Sequence, residues 1–138
     1  MKIEPAAVEA ITRRTEGYPY FLQTWGHFAW NTAREPIITK DDVETATVTA
    51  LKSLDESFFK VRFDRLSAAE KDYLFAMAEL GTGPHRSGDI ASRMKRKVES
   101  VAPTRSSLIK KGMVFSPYHG DTAFTVPMFD AYLRRLRG

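Results

Sequence analysis

Residues 86–126 read RSGDIASRMKRKVESVAPTRSSLIKKGMVFSPYHGDTAFTV, and the order of elements in this stretch decides the fold. Ser87 is placed to cap a short helix over Ser87–Met94, with Ile90, Ala91 and Met94 as its apolar positions. Lys95-Arg96-Lys97 forms a turn. Ser100 reads as the N-cap of a helix over Ser100–Lys111 that stops at Gly112. That start makes Pro103 the third helical residue, with no i−4 hydrogen bond to lose. Two apolar strands follow, Met113-Val114-Phe115 and Phe124-Thr125-Val126, around a tight tip at His119-Gly120. Upstream, Ser67-Ala68-Ala69-Glu70 is a capping box that opens a helix over Leu66–Leu80. Downstream, Phe129, Tyr132, Leu133 and Leu136 recur at helical spacing, and Arg134, Arg135 and Arg137 suit the C-terminal end of that helix.

Three helices followed by a β-hairpin is the layout of a winged helix-turn-helix, a fold that usually binds DNA. The expected class is mainly α with one small β-hairpin. With Val101 and Leu108 as the core face of the third helix, Arg105 falls on the same side. It is expected to pair with a carboxylate or a backbone carbonyl rather than to read a base. Glu99, Ser100, Pro103, Ser106, Ser107 and Lys110 point outward. That set lacks the Arg, Asn and Gln that read bases bidentately, so binding led by phosphates and only weakly sequence-specific is expected. The candidate DNA contacts are Lys95, Arg96, Lys97, Ser100, Ser106, Ser107, Lys110 and Lys111, with His119 at the wing tip. At His119 a solvated turn residue is the competing reading. Use of the fold for protein–protein contact or autoinhibition is the rival function.

Charge distribution supports a polyanion partner. Residues 1–65 hold nine Lys+Arg against ten Asp+Glu, about −1, while residues 66–138 hold twelve against seven, about +5, together the net +4. Within Arg86–Lys111 eight basic residues stand against Asp89 and Glu99. Basic side chains that neutralise phosphates release counterions, which is the driving term of non-specific binding. An apolar content of 43% with 12% aromatic residues can fill a core, so disorder is not expected. The absence of cysteine excludes disulfides and thiolate metal sites and fits a reducing cytoplasm. No apolar run approaches the roughly 18 residues of a membrane span.

The first half reads as helices, with a domain boundary expected near Arg65: a helical subdomain over 1–65 and the winged helix over 66–138. Glu4–Thr15 is amphipathic and ends at Gly17, and Tyr18–Ala33 carries Phe21, Leu22, Trp25, Phe28 and Ala29 at helical spacing. Thr39 is the expected cap of a long helix through Val43, Ala46, Ala50 and Leu54. Phe58, Phe59 and Phe63 lie on two faces of its continuation and are expected to pack the helical part onto the winged helix.

The run Thr15-Glu16-Gly17-Tyr18-Pro19-Tyr20-Phe21-Leu22-Gln23, with Trp25-Gly26 after it, resembles the start of the helical lid in AAA+ and STAND-type ATPases, closest to the initiator-like (origin-recognition) group. In that group the lid precedes a winged helix whose pattern is similar to Arg86-Ser87-Gly88-Asp89-Ile90-Ala91, Lys111-Gly112-Met113 and Gly120-Asp121-Thr122-Ala123-Phe124-Thr125-Val126-Pro127. The resemblance covers essentially the whole chain. It implies the C-terminal part of an ATPase whose nucleotide-binding domain lies outside this chain, with Met1 an introduced start. It further implies that Gly17, Tyr18 and Pro19 sense the nucleotide state, with Arg13 and Arg14 as candidates for a second sensor. ATP and Mg²⁺ would then be cofactors of the parent protein and not of this piece.

No catalytic chemistry is expected in the chain itself. There is no G-x-x-x-x-G-K-[ST] loop, and Gly81-Thr82-Gly83 lacks the Lys-Ser/Thr that would follow one. His27, His85 and His119 stand apart, none with a second ligand at metal spacing. Ser106-Ser107 has no base nearby, and Asp41-Asp42-Glu44 occupies a first helical turn, where the helix dipole favours negative charge.

Overall fold

A computed structural model describes residues 2–138. The protein is mainly helical with a small sheet. Its chain forms two compact units, which divide between Lys60 and Val61, inside a helical run and five residues before Arg65.

The first unit contains β1 (Lys2–Ile3), α1 (Pro5–Thr15), α2 (Pro19–Thr32), β2 (Ile37–Ile38), α3 (Lys40–Leu54) and a π-helical turn, Asp55–Phe59. β1 and β2 pair in parallel, with Lys2 opposite Ile37 and Ile3 opposite Ile38. Thr39 caps α3 as expected. Asp42 completes a capping box by accepting the Thr39 N–H at 2.9 Å, so one of the clustered acids is a cap. The fully buried Ala7, Ala10, Ala29 and Ala50 let the helices approach, and Trp25 and Phe21 fill the space between them. Trp25 keeps its indole N–H satisfied by donating to Thr47 Oγ1 at 3.1 Å.

The π-turn solves a packing problem. After Leu54 a regular α-helix would bring Phe58 to the core one turn on and swing Phe59 away. One extra residue in the turn brings both inside, Phe58 at 3% and Phe59 at 0% exposure. Their rings meet Phe21 at 5.2 and 5.8 Å. Phe63 serves the second unit instead, edge-on to Phe75 at 5.8 Å and Tyr132 at 6.2 Å. Phe58 and Phe59 are thus buried in the first unit, while Phe63 meets aromatic rings of the second.

The second unit continues from α4 (Lys60–Asp64) through α5 (Ala68–Glu79), β3 (His85–Arg86), α6 (Ser87–Arg93), α7 (Val98–Lys110), β4 (Val114–Phe115), β5 (Asp121–Phe124) and α8 (Phe129–Arg137). The strands form an antiparallel sheet in the order β3-β5-β4, the topology of a winged helix-turn-helix. The core joins Tyr73, Leu74 and Met77 of α5 to Ile90, Leu108, Phe129 and Leu133.

Three expected details change. β3 adds a strand to the hairpin, its two residues paired with Thr122 and Asp121. The third strand runs over Asp121–Phe124, not Phe124–Val126, because that register lets β3 and β4 share it. Helix starts also move: Arg86 and not Ser87 caps α6, and α7 begins at Val98 after Lys97, two residues before Ser100. Pro103 is thus the sixth helical residue, and it has no N–H to give the Glu99 carbonyl.

Both helices of the turn motif end in the same way. After α6, the Arg96 N–H reaches Ala91 O and the Lys95 N–H reaches Ser92 O; after α7, Met113 and Gly112 repeat the pattern on Leu108 and Ile109. The left-handed residue is Gly112 (φ 74°) in one and Lys95 (φ 58°) in the other. A side chain at such a position costs roughly 1 kcal/mol. Gly112→Ala is expected to lower stability by about that amount in urea unfolding, although a Cβ there meets nothing within 4 Å. Lys95→Gly is expected to leave stability unchanged or slightly raised, since relief of strain offsets the added chain entropy.

Candidate nucleic-acid interface

The helix-turn-helix is held in place by a buried carboxylate. Glu70, only 3% exposed, closes its capping box by accepting the Ser67 N–H at 2.7 Å. Its second oxygen accepts from Ser107 Oγ at 2.6 Å, and Lys111 Nζ donates to the first at 2.7 Å and to Arg65 O at 3.2 Å. Burial by itself would raise the carboxyl pKa, but the hydrogen bonds from Lys111, Ser107 and Ser67 outweigh it and hold it down at about 2. The end of α7 is thereby fastened to the start of α5. Ser107 and Lys111, both expected to face DNA, are correspondingly hydrogen-bonded to this carboxylate, with Lys111 still exposed.

The remaining basic residues sort in the same way. Arg93 pairs with Glu79 at 2.6 Å. Arg105 donates through Nε to Thr122 Oγ1 at 2.7 Å and through Nη2 to Asp121 O at 3.1 Å, which makes it the structural arginine its position on the core side of α7 implied. Tyr73 lies buried beside this pair; burial pushes its hydroxyl pKa up, against the pull of Thr122 and Arg105. Arg134 bridges buried Asp130 at 2.6 Å and the Ala78 carbonyl at 2.8 Å. Arg137 lies over the Phe75 ring at 3.8 Å and 3.5 Å from Glu79.

Five cations of Arg86–Lys111 are left: Arg86, Lys95, Arg96, Lys97 and Lys110. All are exposed, and among the described residues their side chains make no ion pair or hydrogen bond. Three of them are consecutive in the α6–α7 turn. On α7 the exposed positions Glu99, Ala102, Pro103, Ser106 and Lys110 fall at helical spacing on one face, opposite Val101 and Leu108. Ser100 sits in the first turn and donates its hydroxyl to Lys97 O at 2.8 Å. In the wing, Asp121 N–H closes a turn on Tyr118 O at 3.0 Å, with His119 exposed, Gly120 at φ 83° and Tyr118 exposed to 71%. Arg86, counted among the basic residues of this stretch, and Ala102 and Tyr118 are not among the contacts expected from the sequence. The helix pattern could have given Ala102, one residue before Pro103.

The residues that resemble a nucleotide sensor lie in the first unit. Glu16 and Gly17 both have positive φ (53° and 76°), Tyr18 is the N-cap of α2 and Pro19 its first residue. Tyr18 packs on Phe21 at 4.7 Å and Phe58 at 6.5 Å, so this turn has a full structural role. Arg13 lies 4.0 Å from Glu9, and Arg14 pairs with Glu44. Among the described residues no group of His, Asp and Glu could hold a metal, and no helix is long and apolar enough to cross a membrane.

Fold and surface together define a winged helix-turn-helix whose unpaired cations gather at the helix-turn-helix turn. Residues 56–133 match a family described as a domain of unknown function (DUF8462), and the chain belongs to that family. No curated protein matches the chain.

The Glu70 carboxyl sets a pH dependence. Its folded pKa lies below the ordinary 4.5, so its contribution is complete above that value and is lost as pH falls from 4.5 toward about 2. The contribution is on the order of 3 kcal/mol. Unfolding measured between pH 7 and pH 2 is expected to show this loss, and Glu70→Gln to remove that part of the pH dependence while being less stable at pH 7.

Proposed function

We propose that the second unit binds duplex DNA, chiefly through phosphates, as a non-catalytic regulatory module. The observation that carries this reading is the set of unpaired cations at Arg86, Lys95, Arg96, Lys97 and Lys110, in a unit whose other basic residues in Arg86–Lys111 are engaged internally. Fixed, exposed and unneutralised charge on a helix-turn-helix turn is suited to a phosphate chain. Following the resemblance of the Gly17-Tyr18-Pro19 region, the chain acts as the lid and winged helix of an AAA+/STAND-like ATPase. The helical unit would couple the ATP·Mg²⁺ state of the parent to DNA binding in the cytoplasm.

The same reading has a protein partner in the nucleotide-binding domain. Tyr20 at 49%, Trp30 at 52% and Val48 at 74% exposure give the first unit large apolar side chains for such contact. These residues also support the second reading, in which the protein serves protein–protein association or autoinhibition.

Replacing Lys95, Arg96 and Lys97 by Ala is expected to weaken binding of random-sequence duplex DNA. It should also reduce the slope of log affinity against log salt by about 0.9 for each phosphate that is no longer neutralised. Arg93→Gln, which removes a cation already paired with Glu79, is expected to leave that slope unchanged. Fluorescence anisotropy at several salt concentrations measures both, and an unaltered slope in the triple variant would overturn the assignment.

A further inference from the structure

Pro103 stands in the middle of α7 and forfeits the hydrogen bond to the Glu99 carbonyl, yet its side chain is exposed and packs no core. Ala102, equally exposed, lies beside it on the face that runs through Glu99, Ala102, Pro103, Ser106 and Lys110. This stripe is about 16 Å long. Its middle is apolar, and the carboxylate at its N-terminal end would repel a phosphate chain lying along it. Base edges fit it better. In the major groove the one apolar group a base pair presents is the thymine C5-methyl, and apolar side chains contact it.

We infer that Ala102 and Pro103 make α7 a reader of thymine methyl groups, so that the DNA bound by this protein is selected for thymine content in the groove α7 occupies. The inference rests on the DNA-binding reading above: phosphates hold the turn at Lys95–Lys97 and position α7, and the methyls supply the discrimination.

The test compares an alternating d(AT) duplex with the d(AU) duplex of the same length, which differs only in the C5-methyl groups. The wild-type protein is expected to bind the thymine duplex about four-fold more tightly for each methyl covered, the equivalent of about 0.8 kcal/mol. Pro103→Ser and Ala102→Ser are each expected to reduce the ratio, and together to bring it close to one, with binding to both duplexes retained. Pro103→Ser restores the N–H to the helix, so it keeps the fold, which a thermal melt checks. Equal binding of the two duplexes by the wild type overturns the inference and leaves DNA binding standing. A thymine preference that survives both substitutions also overturns it, since duplex shape and not these side chains would be its source. Absence of binding to either duplex overturns the DNA-binding reading itself.

Discussion

A carboxylate removed from water must be met by donors or lose its charge, and in this protein Glu70 meets that constraint with groups from distant parts of the chain. The Ser67 N–H is local, at the start of the same helix. Ser107 and Lys111 come from the far end of α7. Together they fix where the helix-turn-helix ends and orient α7 over α5. The low pKa of this carboxyl, about 2, measures how strongly the folded state favours its charged form. The same bonds decide which face of α7 turns outward, since Ser107 and Lys111 now point to Glu70.

Internal pairing of this kind divides the cations into two populations. Arg93, Arg105, Lys111, Arg134 and Arg137 bind acids, carbonyls or an aromatic ring within the unit. Lys95, Arg96 and Lys97 occupy a turn with a lysine in left-handed conformation, and among the described residues their side chains form no ion pair. A glycine would satisfy that turn with less strain.

Local signals were legible in the sequence and distant ones were not. The Ser67–Glu70 capping box, the Thr39 cap and the Gly112 stop depend on residues within four positions of one another and were readable from spacing alone. The structural role of Arg105 followed from its place on the same helix side as Val101 and Leu108. What escaped were contacts across the chain: the partners of Glu70, 37 and 41 residues away, and β3, a two-residue strand visible only when paired with β5. The start of α7 was misplaced because Ser100, a good capping residue, lies close to Lys97, whose backbone alone begins the helix. Adjacent Phe58 and Phe59 gave no sign of the π-turn that buries both, because one inserted residue leaves no mark in an apolar pattern.

The most direct measurement is a map of backbone amide shifts by NMR as the protein is titrated with a random-sequence duplex at low salt. The expected result is a contiguous set of perturbed amides around Arg86, Lys95–Lys97 and the outward face of α7, extending to the His119 turn, with Glu70 and its partners little changed. The contrary result would be perturbation centred on the exposed apolar residues of the first unit, Tyr20, Trp30 and Val48, or no perturbation at all. Either would show that the unpaired cations of the turn are not a DNA-binding surface.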